Sequence, residues 1–115
     1  MTNSEELNDG NFDEVVRGHS LVMIDFWTTD CQPCKLTSPI VEELAVKYRG
    51  RILVGTVRAD QNPKIVERFG IKGVPTLLLM RDGCEIERIF LQVADIVQLM
   101  KDYLDQKLKK WLKQN

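Results

Sequence analysis

The sequence predicts an α/β fold, a central mixed β-sheet with helices on both faces. Three observations carry that expectation. Apolar runs of strand length alternate along the chain with stretches of helical periodicity. Residues 21–27 are apolar almost without interruption, as in a strand covered on both faces. Near the C-terminus, an Asp-Gly pair separates two consecutive strand candidates, the pattern of a hairpin.

Residues 5–8 form a short, weak first strand candidate. Asn8 and Asp9 then offer caps for a helix over 11–18, where Phe12, Val15 and Val16 sit at i, i+3, i+4. The apolar run 21–27 follows, broken by one charge, Asp25. Over 33–49, Leu36, Ile40, Val41, Leu44, Ala45 and Tyr48 trace one helical stripe, with Gly50 as the stop. Pro39 lies inside this helix and is expected to kink it, because it lacks an N–H and crowds the previous turn. A β-rich segment, 52–59, leads into the turn Asp60-Gln61-Asn62-Pro63, which opens a short helix ending at Gly70. A buried-type strand over 76–80, the Asp82-Gly83 turn and a more charged, edge-like strand over 85–91 complete the sheet. Finally, Val93, Ile96, Val97, Met100, Leu104, Leu108 and Trp111 share one face of a long helix.

With 115 residues, 43% hydrophobic and 29% charged, the chain is expected to be one folded domain, 1–115. Sixteen Lys plus Arg against 17 Asp plus Glu leave a net charge of −1, so nothing global draws it to nucleic acid or an anionic membrane. No run of about 18 apolar residues marks a membrane span. Residues 1–12 are polar and acidic, unlike a signal peptide, so the expected compartment is the cytoplasm, where cellular reductants keep thiols reduced. Three cysteines there fit a redox pair plus one spare thiol better than a disulfide framework.

Cys31-Gln32-Pro33-Cys34 follows a buried strand and opens a helix, placing both sulfurs at or beside the first turn. The free N–H groups and positive dipole end stabilise a thiolate, and i to i+3 spacing brings the second sulfur within disulfide reach. Cys31, the more exposed of the two, is expected to attack a substrate disulfide, and Cys34 to resolve the mixed disulfide. The competing reading is half of a zinc site. It fails on count, since only Cys84 and His19 remain as further soft donors and neither completes a ligand pair.

The segment Asp25-Phe26-Trp27-Thr28-Thr29-Asp30-Cys31-Gln32-Pro33-Cys34-Lys35 resembles the signature of the thioredoxin family, in which tryptophan-cysteine-glycine-proline-cysteine-lysine follows a short spacer. The likeness extends to Pro39, to Asp60-Gln61-Asn62-Pro63 and to Gly73-Val74-Pro75-Thr76, covering about 7–108. The helix over 93–113 extends past the family's usual end. The resemblance implies a thioredoxin fold and a redox-active disulfide bond. It also implies a protein-disulfide reductase of electron transport and cell redox homeostasis. Its partners would be disulfide-bearing proteins and a thioredoxin reductase or other electron donor. It calls for no cofactor and no metal, and the chain is expected to be a monomer. By the same likeness Val74-Pro75 is cis, and the Val74 backbone is free to pair with an extended partner segment. Asp25 alone reads either as a solvent-facing edge carboxylate or as a buried one. The resemblance favours a buried base for Cys34, its proton affinity raised by desolvation. Trp27 reads as both packing and floor of the site. Asp30, Gln32, Pro33 and Leu91 complete the expected substrate-binding set.

Three departures from the family lie near the chemistry, and a fourth concerns recognition. Asp30 replaces a tryptophan, and a carboxylate about 5 Å from the thiolate disfavours it by on the order of 1 kcal/mol. Gln32 replaces a glycine between the cysteines. Thr56 replaces a lysine often found near the buried aspartate, so Asp25 is expected to titrate higher. Phe90-Leu91-Gln92 replaces valine-glycine-alanine, reshaping the groove for a partner. These departures support a second reading, a thioredoxin-fold binding module with little use of its cysteines. An isomerase or oxidant is a third, decided by reduction potential. Cys84 is expected to be a bland free thiol rather than a regulatory one, and His19 to be structural. Lys107, Lys109, Lys110 and Lys113 read as a solvated basic helix end, or else as a docking surface for an acidic partner.

Overall fold

The computed structural model describes residues 3–90 and 97–113. Their order is β1 (Glu5–Leu7), α1 (Phe12–Arg17), β2 (Leu21–Trp27), α2 (Gln32–Lys47), β3 (Leu53–Arg58), α3 (Pro63–Phe69), β4 (Thr76–Arg81), β5 (Cys84–Phe90) and α4 (Val97–Leu112). A 3₁₀ turn, Ala59–Gln61, overlaps the expected turn Asp60-Gln61-Asn62-Pro63 and begins one residue before it. The sheet order is β1-β3-β2-β4-β5. The first three neighbours are parallel, and β4 and β5 are antiparallel, so the sheet is mixed.

Side-chain alternation along β2 divides the core. Leu21 and Met23 pack with Val54, Leu77 and Leu79 beneath Ile40, Val41 and Leu44 of α2 and Leu104 and Leu108 of α4. Val22, Ile24 and Phe26 face the other way, against Phe12 and Val16 of α1 and Ile65 of α3. Asp25 shares its parity with Leu21 and Met23, which places a carboxylate on the α2 side of a central strand. The edge position that an exposed Asp25 would need is therefore excluded.

Local sequence accounts for the joints. Pro63 opens α3, and Gly70 closes it in the left-handed conformation at φ 62°, where a side chain would be strained. Asp82 and Gly83 both take positive φ, 50° and 84°, the turn that matches strand twist in a two-residue hairpin. Pro39 sits within α2, which continues through it from Gln32 to Lys47. That helix ends two residues before the expected 49, at the C-cap Tyr48, whose N–H still bonds the Leu44 carbonyl and whose ring continues the buried stripe.

The C-terminal end of α4 is tied to the sheet. Trp111 Nε1 donates to Glu87 Oε1 at 2.6 Å, Lys107 pairs with the same carboxylate at 2.6 Å, and the Arg81 guanidinium lies 5.6 Å from the Trp111 ring centre. Lys109 pairs with Asp105 at 3.3 Å and Lys110 lies over Trp111, so three of the four expected basic residues have partners within the chain. Residues 91–96, including Leu91, Gln92, Val93 and Ile96, lie outside the described residues. No helix among the described residues is long and apolar enough to cross a membrane.

Candidate active site

Cys31 is the N-cap of α2. Its backbone is extended, at φ −102° and ψ 108°, and its sulfur accepts from the Cys34 N–H at 3.1 Å. Pro33 lies in the first turn, where a missing N–H costs nothing, and no acidic residue stands there to neutralise the positive helix end. The two sulfurs are bonded at 2.20 Å with Cα atoms 5.2 Å apart. Cys31 is 8% exposed and Cys34 4%, so Cys31 is the more accessible. Gln32 and Asp30 are exposed beside them, and Pro33 is half-buried.

The strand ends converge here. β2 and β4 run antiparallel with Phe26 opposite Thr76, so the Gly73–Pro75 loop lies beside the end of β2 from which the chain runs to Cys31. The Val74-Pro75 bond is cis, and Thr76 Oγ1 donates to the Gly73 carbonyl at 2.6 Å. Pro75 is buried and Val74 half-buried. Phe90, half-exposed at the end of β5, lays its ring against Gly73, where even a Cβ would come within 2.8 Å of it. The bulk that replaces the family's valine thus stands next to the cis-proline loop.

A cavity of about 820 Å³ opens behind the disulfide, between α2 and the strands β1 to β3. It brings together Asp25, Trp27, Cys34, Lys35 and Thr56 with residues the sequence reading did not single out, notably Ser4, Ser38, Glu42 and Arg58. Cys31, Asp30, Gln32, Val74 and Pro75 do not line it. A signal for Glu42 was present, since Cys34, Ser38 and Glu42 are spaced i, i+4, i+8 and form one helical stripe. Ser4, 38 residues from Glu42, carried none.

Asp25 is 3% exposed, and among the described residues its Oδ1 finds no hydrogen-bond donor. Burial, with the Glu42 carboxylate nearby, lifts its pKa from 3.8 to about 7. Thr56 lies directly across from it on β3 and brings no cation. Arg58 borders the cavity, but its guanidinium pairs with Asp60 at 2.9 Å and lies 5.9 Å from the centre of the Trp27 ring, which is half-buried. Among the described residues no group of three or more histidine, cysteine or carboxylate side chains could hold a metal ion. Cys84 is exposed and unbonded, and the ring Nδ1 of exposed His19 lies 3.1 Å from the Val15 carbonyl.

Comparison with known proteins agrees with this geometry. The Thioredoxin family model matches residues 3–106. A thioredoxin of Buchnera aphidicola subsp. Schizaphis graminum is 41% identical over 106 residues, 90% of this chain and 95% of the relative. That of Thiocapsa roseopersicina is 42% identical over 82 residues, covering 70% of this chain and 89% of its own. Among solved structures, a single-substitution mutant thioredoxin from Halobacterium salinarum NRC-1 superposes with a TM-score of 0.71 at 28% identity, covering 92% of this chain and 93% of that one. The chain therefore belongs to the thioredoxin family and is a thiol–disulfide oxidoreductase, a reductase of protein disulfides.

Proposed function

We propose that Cys31 is the nucleophile, Cys34 the resolving thiol and Asp25 the proton acceptor in this reduction. The observation that carries the proposal is the placement of Cys31 at the N-cap of α2, bonded to Cys34 and backed by a buried carboxylate whose Oδ1 has no hydrogen-bond partner among the described residues. In the reduced protein the helix end stabilises the Cys31 thiolate. That thiolate attacks one sulfur of a substrate disulfide; a mixed disulfide forms and one substrate thiolate leaves. Cys34 then passes its proton toward Asp25 and attacks the Cys31 sulfur. The Cys31–Cys34 bond closes and the second substrate thiol departs, so two electrons have moved to the substrate. With a pKa of about 7, Asp25 is about half protonated at neutral pH, suited both to taking up and to returning that proton.

Trp27, Asp30, Gln32, Pro33, Val74, Pro75 and Leu91 form the proposed substrate surface, with the Val74 backbone offering strand-like pairing to an extended segment. The protein acts as a cytoplasmic monomer in electron transport and redox homeostasis, recharged by a thioredoxin reductase. A single domain over 1–115 is part of the same proposal.

Reduction of insulin disulfides by dithiothreitol tests the reading. The wild-type chain accelerates it, Cys31→Ser abolishes the acceleration, and Cys34→Ser accumulates a mixed disulfide. Equal rates for the wild type and Cys31→Ser would reject Cys31 as nucleophile and favour a binding module.

A further inference from the structure

We infer that Glu42, held at the rim of the crevice by Asn3 and Ser4, is a positioning residue that sets how readily Asp25 takes up a proton. The inference rests on the reading of Asp25 as the acceptor for Cys34. Glu42 lies two helical turns beyond Cys34 on the same stripe of α2 and lines the same cavity as Asp25. Its carboxylate is not free to swing into solvent. Oε1 accepts from the backbone N–H groups of Asn3 at 2.5 Å and Ser4 at 3.0 Å, and Oε2 accepts from the Ser4 hydroxyl.

Those three donors lie just ahead of β1, which is itself paired to β3. The clamp therefore fixes one negative charge between the edge of the sheet and α2, across the crevice that holds Asp25. A like charge in a poorly solvated site favours the protonated form of its neighbour. The direction agrees with the lifted pKa of Asp25, for which Glu42 is the second cause after burial.

The other charged groups that line the cavity are Glu6 from β1, Lys35 from α2 and Arg58 from β3. Glu6 and Lys35 are exposed to water, which screens them. Arg58 is turned to Asp60 and Trp27. Glu42 is half-buried, so among these groups its charge is fixed in place by the clamp and is less screened than those of Glu6 and Lys35. Asn3 and Ser4 thus reach the redox chemistry through one glutamate.

The test is a carbon-detected NMR titration of the Asp25 carboxyl in the full, reduced chain. Glu42→Gln keeps an acceptor for the backbone N–H groups and removes the charge. It should lower the Asp25 midpoint by about half a pH unit. Ser4→Ala, which leaves Glu42 in place but loosens it, should move the midpoint the same way by less. Thr56→Lys puts a cation opposite Asp25 and is the control that shows the probe responds. The pH at which release of the mixed disulfide reaches half its maximal rate should follow the midpoint. A midpoint unchanged in Glu42→Gln and Ser4→Ala but lowered in Thr56→Lys overturns the inference. A midpoint that moves while the release profile stays fixed upholds the coupling and instead rejects Asp25 as the acceptor.

Discussion

Asp25 and Asp105 both pack against α2, one near each end of the helix, and their surroundings drive them in opposite directions. Burial works against ionisation at both. At Asp105, hydrogen bonds from Lys47 at 2.8 Å, from the Tyr48 hydroxyl at 2.6 Å and from Lys109 more than offset it, and the pKa falls to about 2. At Asp25 the Glu42 carboxylate adds to burial instead of opposing it, and the pKa rises to about 7. The difference shows that burial alone does not decide what an acid does. The donors around it do: Asp105 is a locked charge joining α2 to α4, and Asp25 is a loose proton beneath a disulfide.

The largest test of this contrast is Asp25→Asn. Because the folded pKa lies above the unfolded 3.8, the wild type has its full stability below about pH 4 and loses part of it as pH rises through about 7. The asparagine variant has no such loss. By pH 8 it should be the more stable by up to about 4 kcal/mol, roughly three pKa units at 1.4 kcal/mol each, while at pH 4 the gap closes. Urea denaturation at the two pH values measures it, and a gap independent of pH would mean that Asp25 ionises freely. The same variant should slow release of the mixed disulfide.

Asp105→Asn should do the reverse on a smaller scale. Its folded pKa lies below the unfolded value, so its contribution is present above about pH 4 and disappears as pH falls through about 2. The side chain is 19% exposed and its two lysine partners reach into water, which trims the expected loss at pH 7 to about 1 kcal/mol. Insulin reduction should be unaffected. A loss that persists at pH 2, or one that lowers activity, would show that the knot does more than join two helices.

How far the sequence reveals these two sites follows from what each is made of. Asp25 stands out because a charge interrupts an apolar strand, and the cysteine pair stands out because a helix begins on it; both signals are local. The Lys47–Tyr48–Asp105 knot joins residues 57 and 58 apart, from the end of α2 to α4, and the stripe that marks Tyr48 as core does not reveal the partner of its hydroxyl. Glu42 falls between these cases. Its stripe with Cys34 is readable at helical spacing, but the Ser4 clamp that gives it meaning is made only when β1 docks on β3. The end of α2 falls short of the expected 49, since the apolar stripe runs on to Tyr48 while the helix itself stops at Lys47.

Asp30 offers the finest test, because it is a third aspartate near α2 with neither the burial of Asp25 nor the donors of Asp105. It is exposed and immediately precedes the N-cap cysteine. Its charge opposes the helix end that favours the Cys31 thiolate, so Asp30→Ala should let that thiolate form at lower pH. Water around the carboxylate weakens the interaction, and the shift should stay within about one pH unit. Thiolate absorbance during titration of the reduced protein reads it directly, and a shift that is absent or upward would reject the electrostatic account. Salt separates Asp30 from Asp25 further. Screening by ions in water should shrink the Asp30 effect as ionic strength rises, whereas the Asp25 midpoint, set inside the crevice, should move far less over the same range.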